Sequence, residues 1–276
     1  MKKINPKIPL VYGVMLLYGL VYITPFFWML TTSFKPLGEI GKIPISILPN
    51  NPTFDNYFAT WSDIRIFQSF GNSLYLSFSA TLISLCIEII SAYGFSRFRF
   101  RGQNFMLFII LFANALPGLV LLIPFYELLT IMRLINTHLG LLFVYTVTAL
   151  PFGTWMLIGY FEQVPREFEE AAMVDGCSRL QTIFKIVVPV ALPGIIAVGI
   201  ITFVHRWGEF LFALTFLNDE KLYTLPLAVY AYRGIEWTHW GKLMALATLI
   251  VLPALLIFIA LQKYIISGIV AGALKK

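Results

Sequence analysis

Residues 169–189 read EEAAMVDGCSRLQTIFKIVVP, a polar, helix-forming patch between two stretches made almost wholly of apolar residues. Pro165 suits the first position of a helix. Glu167, Glu169 and Glu170 follow in its first turn and a half, where carboxylates favour the positive end of the helix dipole. Asp175-Gly176 supplies the stop, because glycine tolerates the left-handed backbone of a helix end. Ser178 to Gln181 then has capping-box spacing, and Leu180, Ile183, Phe184 and Val187 recur at helical intervals until Pro189 ends the second helix. The patch reads as a helix-turn-helix with an apolar stripe, which either packs back on its own protein or enters a groove on a partner.

Its surroundings are apolar enough for a bilayer. A spanning helix needs ~20 apolar residues, each rising ~1.5 Å, to cover ~30 Å of hydrocarbon. Six stretches pass: residues 8–34, 72–93, 105–126, 139–161, 190–214 and 243–262, the third broken by Pro117-Gly118 and Pro124. A mean hydropathy of +0.82 excludes an ordinary soluble domain. The first stretch is too long for the core of a signal peptide and no small-residue cleavage site follows it, so it is read as a retained helix.

Lys and Arg are unevenly shared between the two sides. Twelve fall on the side of the two termini and seven on the other, with Arg206 inside the fifth stretch. The richer side faces the cytoplasm, so both termini are expected there. This distribution accounts for the net charge of +6 without nucleic acid. Cys86 and Cys177 fall in a helix and a cytoplasmic loop, where no disulfide is expected, and no cluster has metal-ligand spacing.

The whole chain, 1–276, is expected to be one membrane domain. Residues 31–71, rich in Pro and Asn, form an external loop, 162–189 the cytoplasmic helix-turn-helix and 263–276 a cytoplasmic tail. Leu-Pro steps at Leu116, Leu192 and Leu252 have unlike neighbours, so they mark local helix irregularities rather than a repeat. Chemistry for catalysis is missing. GEIGK at 38–42 lacks the spacing of a phosphate loop, and His138, His205 and His239 are scattered.

Glu170, Ala171, Ala172, Gly176, Ile186 and Pro189 fall on the pattern EAA, three positions, Gly, nine positions, Ile-x-Leu-Pro, with Val188 in place of Leu. The segment resembles the cytoplasmic EAA loop of permease subunits of binding-protein-dependent ABC importers. TTSFKP from Thr31, NSLYLSFSAT from Asn72, AYGFSRFRFRG from Ala92, LIPFYELLTIMRLINTHLGLLFVY and the tail QKYIISGIVAGALKK extend the resemblance to the smaller permease of maltose-type sugar importers.

That resemblance implies an all-α integral membrane protein with the type I ABC importer permease fold, six transmembrane helices and no enzymatic activity of its own. It implies a heterodimer with a second permease, two ATPase subunits that hold ATP and magnesium, and an external solute-binding protein. The surroundings would be the lipid of a bacterial or archaeal cytoplasmic membrane and the cargo a carbohydrate, an oligosaccharide. An ABC permease for another solute is the alternative, and a secondary transporter a more distant one. In the loop, Ala171 and Ala172 would allow close approach to an ATPase cleft and Gly176 would set the turn. Glu170 and Asp175 would meet polar groups on the partner or cap the loop, while Leu180, Ile183 and Phe184 belong to the stripe.

For the pathway, the candidates are Asn114, Arg206, Trp207 and Glu209. Arg206 and Glu209 stand i, i+3 in the fifth stretch, and Trp207 is of a type that stacks on sugar rings; the same residues equally suit an Arg-Glu pair satisfied within the protein. Many sugar permeases carry Trp-Asn-Glu here, and Gly208 stands where Asn would be. Glu88 is expected to bond Ser91 or a neighbouring helix, or to be neutral.

Overall fold

In lipid a backbone has no hydrogen-bond partner but itself, and the apolar stretches of this chain accordingly form helices. The computed structural model describes residues 7–235 and 239–273, with side chains for 11–231 and 239–263. Lys2, Lys3, Lys275 and Lys276, and the side chains of Lys7 and Arg233, on which the expected orientation partly rests, lie outside the described residues. No strand occurs among the described residues.

In chain order the helices are α1 (Lys7–Ser33), α2 (Asp55–Trp61), α3 (Ile64–Arg97), α4 (Gln103–Ala115), α5 (Gly118–Ile131), α6 (His138–Phe161) and α7 (Arg166–Val174). Next comes α8 (Arg179–Thr182), which runs through a π turn (Ile183–Val187) into α9 (Val188–Val190). The chain ends with α10 (Leu192–Trp207), α11 (Leu211–Phe216), α12 (Leu225–Ile235) and α13 (Trp240–Ala273).

Four of these helices are long and apolar enough to cross a membrane, and the number reaches six if each of two sharply bent pairs is one span. The bends correct the sequence reading in part. The third stretch breaks at Pro117-Gly118 as expected, where α4 and α5 meet at 102°, but not at Pro124, which lies inside α5. Leu116, preceding Pro117, is extended at φ −70° and ψ 127°, the conformation that a following proline imposes.

The fifth stretch likewise divides, with the α8–α9 run meeting α10 at 81° across Ala191. Pro189 therefore does not end the second helix of the helix-turn-helix, which continues to Val190. Pro193 sits in the first turn of α10, where its missing N–H costs nothing. Pro253, by contrast, lies inside the continuous α13.

Contacts divide the chain into two compact units at Phe67/Gln68, Ala228/Val229 and Leu252/Pro253. The first holds α1, whose apolar side chains from Val11 to Ile23 stand exposed, as suits a helix whose solvent is lipid. The segment expected to form an external loop begins only after Ser33, and the polar residues Thr31, Thr32, Ser33 and Lys35 are buried anchors. Lys35 donates to the Ser46 carbonyl and lies 4.6 Å from the Trp28 ring centre. Asn56 of α2 donates to the carbonyls of Ser33 and Lys35 at 2.8 and 2.9 Å.

In the second unit α3 and α6 run the same way. Leu76 and Ala80 share one apolar cluster with Leu141, Val144 and Tyr145, while Ile89, Ala92 and Tyr93 share another with Leu157 and Phe161. The first cluster is completed by Phe212, Ala213 and Phe216 of α11, the second by Ile183, Val187, Ile195 and Val198. Between the clusters α3 and α6 come so close that a Cβ at Gly153 would run into the Glu88 carboxyl group.

Candidate functional site

The second unit carries both regions that the sequence singled out. The first is the helix-turn-helix from α7 to α9. Pro165 is its N-cap, at φ −59° and ψ 135°, rather than its first helical residue. The stop after Asp175 forms as read, with Gly176 at φ +89°. The Gly176 N–H bonds the Met173 carbonyl at 3.1 Å and the Cys177 N–H the Ala172 carbonyl at 3.0 Å, the paired bonds of a Schellman motif. A side chain at 176 would be strained in that backbone. The capping box is also present: the Ser178 N–H donates to Gln181 Oε1 at 2.8 Å, and the Gln181 N–H to Ser178 Oγ at 3.4 Å.

The stripe expected on the second helix is split by the π turn. Ile183 and Val187 turn into the core, while Leu180 and Phe184 remain 61% and 54% exposed. On α7, Ala172 is buried and Glu170, Ala171 and Asp175 are exposed, together with Phe168 and Val174, the last at 87%. Ile186 is half-buried and Pro189 exposed.

Glu169 is not the surface dipole partner that its position suggested. It is buried three residues before Ala172 on the same face, accepting from the Tyr93 hydroxyl at 2.9 Å and from Arg97 Nε at 2.5 Å. Arg97 gives a second bond, from Nη2 to the Val164 carbonyl at 2.9 Å. Counting charges in the first turn could not separate this inward glutamate from its outward neighbours; the spacing to Ala172 was the available signal.

The second region is a cleft of about 250 Å³ whose wall includes Asn114 from α4, Thr148 and Phe152 from α6, and Ile201, Thr202, His205 and Arg206 from α10. A neighbouring cleft of about 280 Å³ shares Asn114, Thr148 and Arg206 and continues over Leu116, Pro151 and Phe212. The structure thus brings Asn114 and Arg206 together. It adds Thr148, Thr202 and His205, which sequence spacing could not find because the wall is assembled from three helices.

Trp207 and Glu209 are elsewhere. Trp207 is 2% exposed, stacked on Phe203 at 5.9 Å and edge-on to Phe70 at 5.5 Å, so it is core. Glu209 lies beyond the end of α10, since Gly208 terminates that helix. Its carboxylate accepts from the Tyr145 hydroxyl at 2.7 Å and from the backbone N–H groups of Phe212 and Ala213 at 2.7 and 3.2 Å, which anchors the start of α11. No ion pair joins Arg206 to Glu209 among the described residues. The Arg206 guanidinium lies 5.6 Å from the Tyr145 ring centre, and its Nε is buried without an acceptor. Glu88 is fully buried, and among the described residues it forms no hydrogen bond to Ser91 or to another helix.

Residues 84–270 match the family model described as the binding-protein-dependent transport system inner membrane component. The chain is 35% identical to the sulfoquinovosyl glycerol transport system permease protein SmoH of Agrobacterium fabrum, covering 91% of this chain and 88% of that one. It is 30% identical to the trehalose/maltose transport system permease protein MalG of Thermococcus litoralis, covering 99% of each. With the galactooligosaccharides transport system permease protein GanQ of Bacillus subtilis it shares 32% over 99% of this chain and 98% of the other. The fold is that of a chain in the crystal structure of a bacterial ABC transporter involved in the import of the acidic polysaccharide alginate, at a TM-score of 0.78 and 23% identity over 96% of this chain and 99% of that one. A broken-helix architecture, a capped polar loop on EAA spacing and these likenesses converge: the chain belongs to the family of binding-protein-dependent transport system inner membrane components.

Proposed function

We propose that the chain is a permease subunit of an ATP-driven oligosaccharide importer. It forms half of the pathway, the other half being a second permease, and binds no cofactor itself. Two ATPase subunits hold ATP and magnesium, and an external binding protein delivers the sugar. Each bent pair counts as one crossing, giving six spans with both termini in the cytoplasm of a bacterium or archaeon. The cleft bearing Asn114 and Arg206 belongs to this subunit's share of the pathway.

The observation that carries the coupling reading is the helix-turn-helix itself. Both ends of its turn are capped, yet Val174, Leu180 and Phe184 point away from the chain's own core. Rigid, apolar and exposed, such a surface fits a groove on another protein. The named cargoes of relatives such as MalG and GanQ support a sugar.

Proteoliposomes containing the assembled importer test this with trehalose, a galactooligosaccharide and diacetylchitobiose as probes. Uptake of at least one sugar is expected, and Gly176→Arg or Glu170→Arg should abolish it while the chain inserts at the wild-type level. Wild-type uptake by both variants overturns the coupling role.

A further inference from the structure

From the convergence of three side chains on the first turn of α7, we infer that Tyr93, Arg97 and Glu169 are positioning residues that fasten the coupling helix to the end of α3. The inference rests on the coupling reading above and names the route by which α7 engages the membrane domain.

Arg97 is the last residue of α3 and Tyr93 lies one turn before it, so both project from one face. From that face three hydrogen bonds reach the start of α7: two end on the Glu169 carboxylate, one on each oxygen, and the third on the Val164 carbonyl just ahead of the helix. The Arg97 and Glu169 side chains are only 8% and 6% exposed, so the pair is shielded from water and from salt. A second tie comes from beyond the turn. The Arg179 guanidinium stands 4.9 Å from the Phe98 ring centre, and Phe98 packs edge-on against Tyr93 at 6.1 Å.

A buried ion pair is a poor device for raw stability but a good one for fixing an orientation, because removing one partner leaves the other charged and unsatisfied. Here it fixes α7 on α3. The covalent routes into and out of the helix-turn-helix pass through a turn at Gln163 and Val164 and through the 81° bend at Ala191. Displacement of α7 by a docked partner is then delivered to α3 through these side chains, beside the apolar contacts of Ile183 and Val187 with Ile89, Ala92 and Tyr93. Glu170, Ala171 and Val174, on the opposite side of α7, stay free to meet that partner.

The assembled importer in proteoliposomes tests this by the number of sugars taken up per ATP hydrolysed. Arg97→Ala and Glu169→Gln should each lower that ratio roughly tenfold or more, the scale of a broken buried charge pair. Arg97→Glu combined with Glu169→Arg should recover most of it. A spin-label pair at Arg99→Cys and Glu167→Cys, with Cys86 and Cys177 replaced by Ser, reads the fastening directly. Its distance should be the same with and without ATP in the otherwise native chain and should broaden in Glu169→Gln, which preserves shape if Arg97→Ala does not assemble. A wild-type ratio in both single variants, or an unchanged narrow distance in Glu169→Gln, overturns the inference. If Gly176→Arg still blocks uptake, the coupling role stands and only the tether falls; if Gly176→Arg also transports normally, the coupling role falls first.

Discussion

Arg206 and Trp207 are adjacent in the chain and opposite in environment, and the difference decides what each substitution does. Trp207 fills a slot between Phe203 and Phe70, so Trp207→Ala should cost about 3–5 kcal/mol by leaving a cavity. Thermal unfolding in detergent should show a clearly lower midpoint. Arg206 lines the cleft with an Nε that no acceptor satisfies, so Arg206→Ala should leave the midpoint near wild type while changing which sugars are taken up. A selectivity change in Trp207→Ala with none in Arg206→Ala would reverse these assignments. Sequence spacing had grouped Arg206, Trp207 and Glu209 as one site. Gly208 breaks that grouping by ending α10, after which Glu209 is free to anchor α11 instead.

At the scale of elements, the segment between α1 and α2 is held by charge as well as by apolar contacts. Glu39 accepts from the Asn50 N–H at 2.9 Å and from the Ser46 hydroxyl at 2.8 Å. The Asn50 N–H is the largest cause that holds its carboxyl below the ordinary value, with Ser46 and the Lys35 charge assisting against a desolvation penalty. A depressed pKa contributes stability that is complete above the unfolded value, about 4.3, and vanishes as pH falls through the lower folded value. The protection factor of the Asn50 amide, its exchange rate relative to the intrinsic rate at each pH, should therefore fall in acid, and Glu39→Gln should remove that pH dependence; a protection factor constant across the carboxylate range contradicts this. Helix positions were legible where length and apolarity suffice, as in α6, which lies within a residue of the stretch expected at 139–161. The break at Pro117-Gly118 was legible, but its 102° angle and the 81° turn at Ala191 were not. Leu-Pro steps announce a freed carbonyl, but the same step yields a right-angled break at Pro117 and a continuous helix at Pro253, because neighbouring helices set the direction. The capped turn at Gly176 and Ser178 was legible because its chemistry is local.

At the scale of the whole molecule, polar groups among the described residues gather at the anchors of the segment after Ser33, along the buried face of α3 at Ser73, Ser77, Ser84 and Glu88, in the cleft wall and in the helix-turn-helix from α7 to α9. The last presents Val174, Leu180 and Phe184 beside a turn capped at both ends, and the central claim is that an ATPase subunit covers it. Site-specific photocrosslinking in the assembled importer tests that claim most directly. Probes at Val174, Leu180 and Phe184 should give adducts identified by mass spectrometry as the ATPase subunit, while a probe at the buried Ile183 should react within the chain itself. Adducts from the three exposed positions that contain only this chain or lipid would contradict the account.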